Sequence, residues 1–94
     1  MTERSSEGLD LRRRKLLFRS WHRGTREMDL IMGGFADCAL AGLNDAELSD
    51  FERLIDVPDH DLLAWVTGEA VVPQDFNTVL FRRMRDFHHG HRKS

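Results

Sequence analysis

Residues Leu43 to Gly68 read LNDAELSDFERLIDVPDHDLLAWVTG, and two helices follow from them directly. Asn44 is a side chain that caps helix starts, and Glu47, three residues on, can reach back to the Asn44 backbone to complete a capping box. Leu48, Phe51, Leu54 and Ile55 recur at the helical period and fall on one inward face. Pro58 disfavours helical geometry at Val57, so the first of the two helices ends there. Asp59 is placed to cap a shorter helix carrying Leu62, Leu63, Trp65 and Val66, which Gly68 stops.

Working upstream, Met28, Met32, Phe35, Ala36 and Ala39 form an apolar stripe on a helix that starts near Thr25 and stops near Gly42. Gly33 and Gly34 lie inside it, each unfavourable by about 1 kcal/mol relative to alanine, and predict a kink or a close helix crossing. Gly24 separates this helix from an earlier one over Leu9 to His22, whose Leu9, Leu16, Leu17 and Trp21 can share a face. Downstream of the Ala70–Pro73 link, Asp75 is placed to cap a last helix with Phe76, Val79, Leu80, Met84 and Phe87 on one stripe and Gly90 at its end. The spacing therefore predicts an all-α fold, a compact five-helix bundle forming a single small domain over residues 9–90. Residues 1–8 read as a disordered polar arm and 91–94 as a flexible tail, with nothing from His88 onward adding to the core.

Composition agrees with one helical domain and excludes several classes of function. A chain of 94 residues has room for one core, and 40% hydrophobic content supplies it. The single cysteine, Cys38, cannot form an internal disulfide, and with no signal peptide in view this fits a cytoplasmic protein. No apolar run approaches the ~20 residues that span a bilayer, so no membrane insertion is expected. The net charge of −2 hides a marked asymmetry: residues 37–75 carry ten acidic groups against Arg53 alone, and the remaining residues are strongly basic. Such separation belongs to molecules that bind something.

Catalytic and metal-binding patterns are missing. His22, His60, His88, His89 and His91 invite a zinc reading, but zinc takes about four converging ligands, usually with thiolates, and Cys38 stands alone. No nucleophile elbow, phosphate loop or dinucleotide fingerprint is present. Asp59 and Asp61 are helix-start acids that the dipole favours, not an acid–base pair. The expectation is a chain that is not an enzyme and has no catalytic residues and no metal site. The basic run Arg12 to Lys15, continued by Arg19, leaves one alternative, a small helical regulator that binds nucleic acid through its N-terminal helix. No recognition-helix signature accompanies the run, and the acidic middle of so small a domain repels nucleic acid unless it points away.

The junction of the first two helices carries the most specific pattern: Arg19, Ser20, Arg23, Gly24, Glu27 and Asp29 in an Arg-Ser-x-x-Arg-Gly-x-x-Glu-x-Asp arrangement. With this pattern, with Leu43 to Ile55, and with the Asp-x-Pro-Asp-x-Asp-Leu-x-x-Trp stretch from Asp56, the chain resembles the FAD assembly factor family of succinate dehydrogenase over about Leu11 to Phe87. The resemblance implies a five-helix bundle that docks on the flavoprotein subunit of succinate dehydrogenase or of fumarate reductase. Docking then promotes covalent attachment of FAD to that subunit, with no nucleophile supplied. It implies a bacterial cytoplasmic setting, no tightly bound cofactor of the chain's own, and no nucleic-acid partner. Arg19, Arg23, Gly24, Glu27 and Asp29 become the expected partner-binding residues. In that scheme the Arg23 fork meets the partner, Glu27 orients Arg23 or accepts bonds from the partner, and Gly24 permits close backbone approach.

Overall fold

A computed structural model describes residues 8–93. The arm expected over residues 1–8 lies outside the described residues except for Gly8. Of the 91–94 tail only the backbone through Lys93 falls within them. Among the described residues the fold is all-α: α1 (Leu11–Trp21), α2 (Arg26–Ala39), α3 (Asp45–Ile55), α4 (Asp59–Thr67) and α5 (Val79–Lys93). Short 3-10 turns at Leu40–Gly42 and Gln74–Phe76 lie in the α2–α3 and α4–α5 connections.

α1 packs most extensively on α2, and α5 lies against α2, α3 and α4. The core between them is built by Met28, Met32, Phe35, Leu48, Phe51, Leu54, Leu62, Val66, Leu80, Phe81 and Met84, all buried. Each such side chain contributes roughly 1.5–3 kcal/mol of transfer free energy. The capping box at the start of α3 forms as the spacing predicts. Asn44 Oδ1 accepts from the Glu47 N–H at 2.8 Å, and Glu47 Oε1 accepts from the Asn44 N–H at 2.9 Å. The glycine pair in α2 marks a close crossing rather than a kink, because α2 is continuous through it. A β-carbon on Gly33 would stand 2.2 Å from Cδ2 of Trp21, so the indole lies directly on the bare backbone.

Polar side chains on α1 tie it to the α2–α3 connection and to α3. Arg12 grips Glu52 with two hydrogen bonds of 2.9 Å, and Arg13 Nε donates to the Leu40 carbonyl at 3.0 Å while its Nη2 donates to the Leu43 carbonyl. The Arg12 hydrogen bond holds the Glu52 carboxyl below the usual carboxylate range, against partial desolvation. The buried Ser20 hydroxyl is satisfied within α1 by the Leu16 carbonyl at 2.7 Å.

Three expectations for the helix ends are corrected. Asp59 does not cap α4: Pro58 holds the cap position, and the Asp59 carboxylate is taken by Arg23 instead. Asp75 does not open the last helix. Asn77 adopts a non-helical conformation (φ −87°, ψ 64°), which separates the Gln74–Phe76 turn from α5, and Thr78 Oγ1 caps α5 by accepting from the Phe81 N–H at 3.1 Å. The register shifts with it, leaving Val79 63% exposed and burying Phe81. Finally, α5 passes Gly90 and continues to Lys93, and the segment after Phe87 does pack: His88 is buried, and His89 Nε2 lies 3.0 Å from the Val66 carbonyl oxygen.

Candidate docking site

The five expected partner-binding residues sit together on the turn between α1 and α2, but they divide into an internal clamp and an exposed ledge. The clamp is Arg23. Its side chain is only 7% exposed, and its fork is used on this chain's own acceptors. Nε and Nη2 reach Asp59 Oδ1 at 2.8 and 2.7 Å, Nη2 also donates to the Val57 carbonyl at 2.6 Å, and Nη1 donates to the Ile55 carbonyl. These carbonyls belong to the end of α3 and the loop after it, where a helix leaves acceptors without intrahelical donors. One planar guanidinium thus closes α3 and fixes the start of α4. The fork is spent on four internal contacts, which leaves it little to offer a partner.

Two neighbours reinforce the clamp. Asp29, from the first turn of α2, accepts from the Arg23 backbone N–H at 2.6 Å. Arg19, in the last turn of α1, pairs with Asp56 at 3.0 Å, with both side chains more than half exposed. Arg19 and Arg23 therefore hold the same α3–α4 corner, one at its surface and one beneath. Asp56 and Asp59 were not singled out from the sequence as partners of the junction. The signal was their place in the Asp-x-Pro-Asp stretch that carries part of the resemblance.

The ledge is Gly24 to Glu27. Gly24 adopts φ +112°, a conformation that favours glycine, and a β-carbon there would meet nothing within 4 Å. Thr25 Oγ1 caps α2 by accepting from the Met28 N–H at 3.3 Å. Arg26 and Glu27 are exposed. Glu27 makes no hydrogen bond or ion pair among the described residues, so it does not orient Arg23. Beside the ledge an apolar groove of about 770 Å³ runs between α2 and α5, with Arg26 and Glu27 at its edge and Trp21, Leu30 and Phe87 among its walls.

Among the described residues no cluster of three or more His, Cys, Asp or Glu is arranged to hold a metal ion. Much of the basic run on α1 is committed internally, to Glu52, to the Leu40 and Leu43 carbonyls and to Asp56.

The family described as the flavinator of succinate dehydrogenase matches residues 14–88. The FAD assembly factor SdhE of Acetobacter pasteurianus is 38% identical over 80 residues, covering 85% of this chain and 73% of that protein. The mitochondrial succinate dehydrogenase assembly factor 2 of Dictyostelium discoideum is 36% identical over 77 residues, and that of Mycosarcoma maydis 39% over 80. Those two matches cover 82% and 81% of this chain but only 53% and 34% of the relatives, so the chain spans about half and a third of their length. With its family match running from α1 into α5, the chain belongs to the family of succinate dehydrogenase flavinators.

Proposed function

We propose that the chain is an assembly factor that docks on the flavoprotein subunit of succinate dehydrogenase, and on that of fumarate reductase, and promotes covalent attachment of FAD there. The observation that carries this reading is the exposed Gly24–Glu27 ledge, held rigid from beneath by Arg23 and Asp59 in a chain of the flavinator family. Gly24 lets a partner backbone approach, and Glu27 presents an unengaged carboxylate beside it. The chain acts by position. Docking holds the subunit in a conformation where its own histidine meets the flavin, and orienting two reactants accelerates a reaction without any added catalytic group. In this reading the chain is not an enzyme, FAD stays on the partner, and Arg19 and Asp29 shape the ledge.

The internal use of Arg12, Arg13 and Arg19 weighs against a nucleic-acid role for α1, since the positive face is largely spent on this chain's own acceptors. The bacterial relative supports a bacterial cytoplasmic setting, and no helix among the described residues is long and apolar enough to cross a membrane. The test is a deletion strain in which in-gel flavin fluorescence of the succinate dehydrogenase flavoprotein subunit is measured. Fluorescence should fall and be restored by the chain. Unchanged fluorescence in every growth condition overturns the reading.

A further inference from the structure

The apolar groove beside the ledge has its own chemistry. Trp21 forms one wall, and Leu30, 52% exposed, stands at its rim. Gly34 and Phe87 form its floor, where a β-carbon on Gly34 would stand 3.4 Å from Cε2 of Phe87. Asp37 and Cys38 complete it along α2. Two polar atoms in these walls are shielded from water and have no hydrogen-bond partner among the described residues: the indole Nε1 of Trp21, a donor, and Oδ1 of Asp37, an acceptor. Buried polar atoms are normally satisfied, and unmatched ones are a reason to look for a ligand that supplies what is missing. The surrounding surface asks for an apolar side chain, and a carboxylate oxygen in such a setting is best matched by a cationic donor.

We propose that this groove receives a segment of the flavoprotein subunit in which a large apolar residue lies beside a lysine or arginine. The apolar side chain enters between Trp21, Leu30 and Phe87. The cation reaches Asp37 after a small rotation of that side chain. Charge complementarity supports the occupant: neither Asp37 nor Glu27 has an ion pair among the described residues, and Arg26 is the one Lys or Arg in the lining against these two carboxylates. Continuity supports it too: Arg26 and Glu27 belong both to the ledge and to the groove edge. The inference rests on the docking reading above and extends it from the Gly24–Glu27 turn to the α2–α5 face.

Cys38, the chain's single cysteine, is exposed and serves as a reporter at the groove. The full chain is mixed with purified flavoprotein subunit, complex formation is followed by size exclusion, and alkylation of Cys38 by a small maleimide is timed. The expected result is a complex in which alkylation slows about tenfold or more. Leu30→Arg, at an exposed position, should weaken the complex by about tenfold or more with an unchanged melting temperature, as loss of a central apolar anchor does. Asp37→Asn should weaken binding and flatten its salt dependence, because one interfacial ion pair is gone. A complex that forms with Cys38 as reactive as in the free chain, and with Leu30→Arg binding normally, overturns the groove and leaves ledge docking standing. If Leu30→Arg disrupts self-association of the chain instead, the occupant is a second copy and the proposal is wrong. Absence of any complex with the native chain overturns the docking reading and this inference together.

Discussion

Arg23 and Asp59 form an ion pair of 2.7 Å across 36 residues of sequence, and through it the turn between α1 and α2 is bolted to the start of α4. The same guanidinium takes the carbonyls of Ile55 and Val57, so the pair also closes the end of α3. A motif that looks like a binding signature is therefore half architecture: its arginine builds the surface that its glycine and glutamate present.

Removing one partner of this pair strands the other. Arg23→Ala leaves Asp59 and two carbonyls without their donor and should destabilise the fold by about 3 kcal/mol, the lower end for a broken buried pair. Arg23→Lys keeps the charge but loses the fork, and should cost about 1–2 kcal/mol. Asp59→Ala should resemble Arg23→Ala, with the double variant well short of additive. Urea unfolding measures all three. Full stability in Arg23→Ala together with lost partner binding would restore the guanidinium to the interface.

Gly24 separates strain from contact. Since no atom lies within 4 Å of its missing β-carbon, the φ of +112° is the main penalty for any side chain there. Gly24→Ala and Gly24→Arg should therefore lose nearly the same stability, about 1–2 kcal/mol. Their affinities for the partner should differ sharply, with Gly24→Arg failing to dock. Thermal unfolding and a binding titration on both variants decide it. Affinity losses that track only the unfolded fraction would make Gly24 a helix terminator and nothing more.

Gly33 and Gly34 are adjacent but unequal. Alanine at Gly33 would drive its β-carbon into the Trp21 indole, 2.2 Å from Cδ2, whereas at Gly34 the nearest atom, on Phe87, is 3.4 Å away. Gly33→Ala should destabilise by about 1–3 kcal/mol even after the gain in helix propensity. Gly34→Ala should fall within about 1 kcal/mol of the native chain, since propensity offsets a slight crowding. A Gly33→Ala variant more stable than the native chain would contradict the crossing.

The bond from Arg12 keeps the Glu52 carboxyl below its ordinary value of 4.5. A carboxyl depressed in the folded state contributes stability that is fully present above the unfolded value and is lost as pH falls through the folded one. Both side chains are more than a third exposed, so solvent screens the pair and the contribution is small. Arg12→Ala should melt lower than the native chain at pH 7, and the gap should narrow as pH falls below 4.5. A gap that is constant or widens toward acid contradicts the assignment.

What could be read in the sequence was local. The Asn44–Glu47 box, the Met28–Phe35 stripe and the break at Gly24 each depend on residues within a turn or two of one another, and all three are present. The start of α5 was misplaced because Asp75 and Thr78 both have capping side chains. The choice between them follows from Asn77 leaving helical geometry while Phe76 packs on Trp65 at 5.3 Å. The Arg23–Asp59 pair and the groove formed by Trp21, Asp37 and Phe87 could not be read, because they exist only once α1, α2, α4 and α5 have met. The motif marks the turn between α1 and α2, and only tertiary packing shows that Arg23 is tied to Asp59 and the end of α3.

The central claim is that an exposed ledge, and no chemistry of this chain's own, promotes flavin attachment. The most direct measurement uses purified flavoprotein subunit lacking covalent flavin, incubated with FAD and either the native chain or folded Gly24→Arg, with in-gel flavin fluorescence as readout. The native chain should raise covalent flavin well above the subunit alone, and Gly24→Arg should leave it at that background. Equal covalent flavin with both chains, or with neither present, would contradict the account.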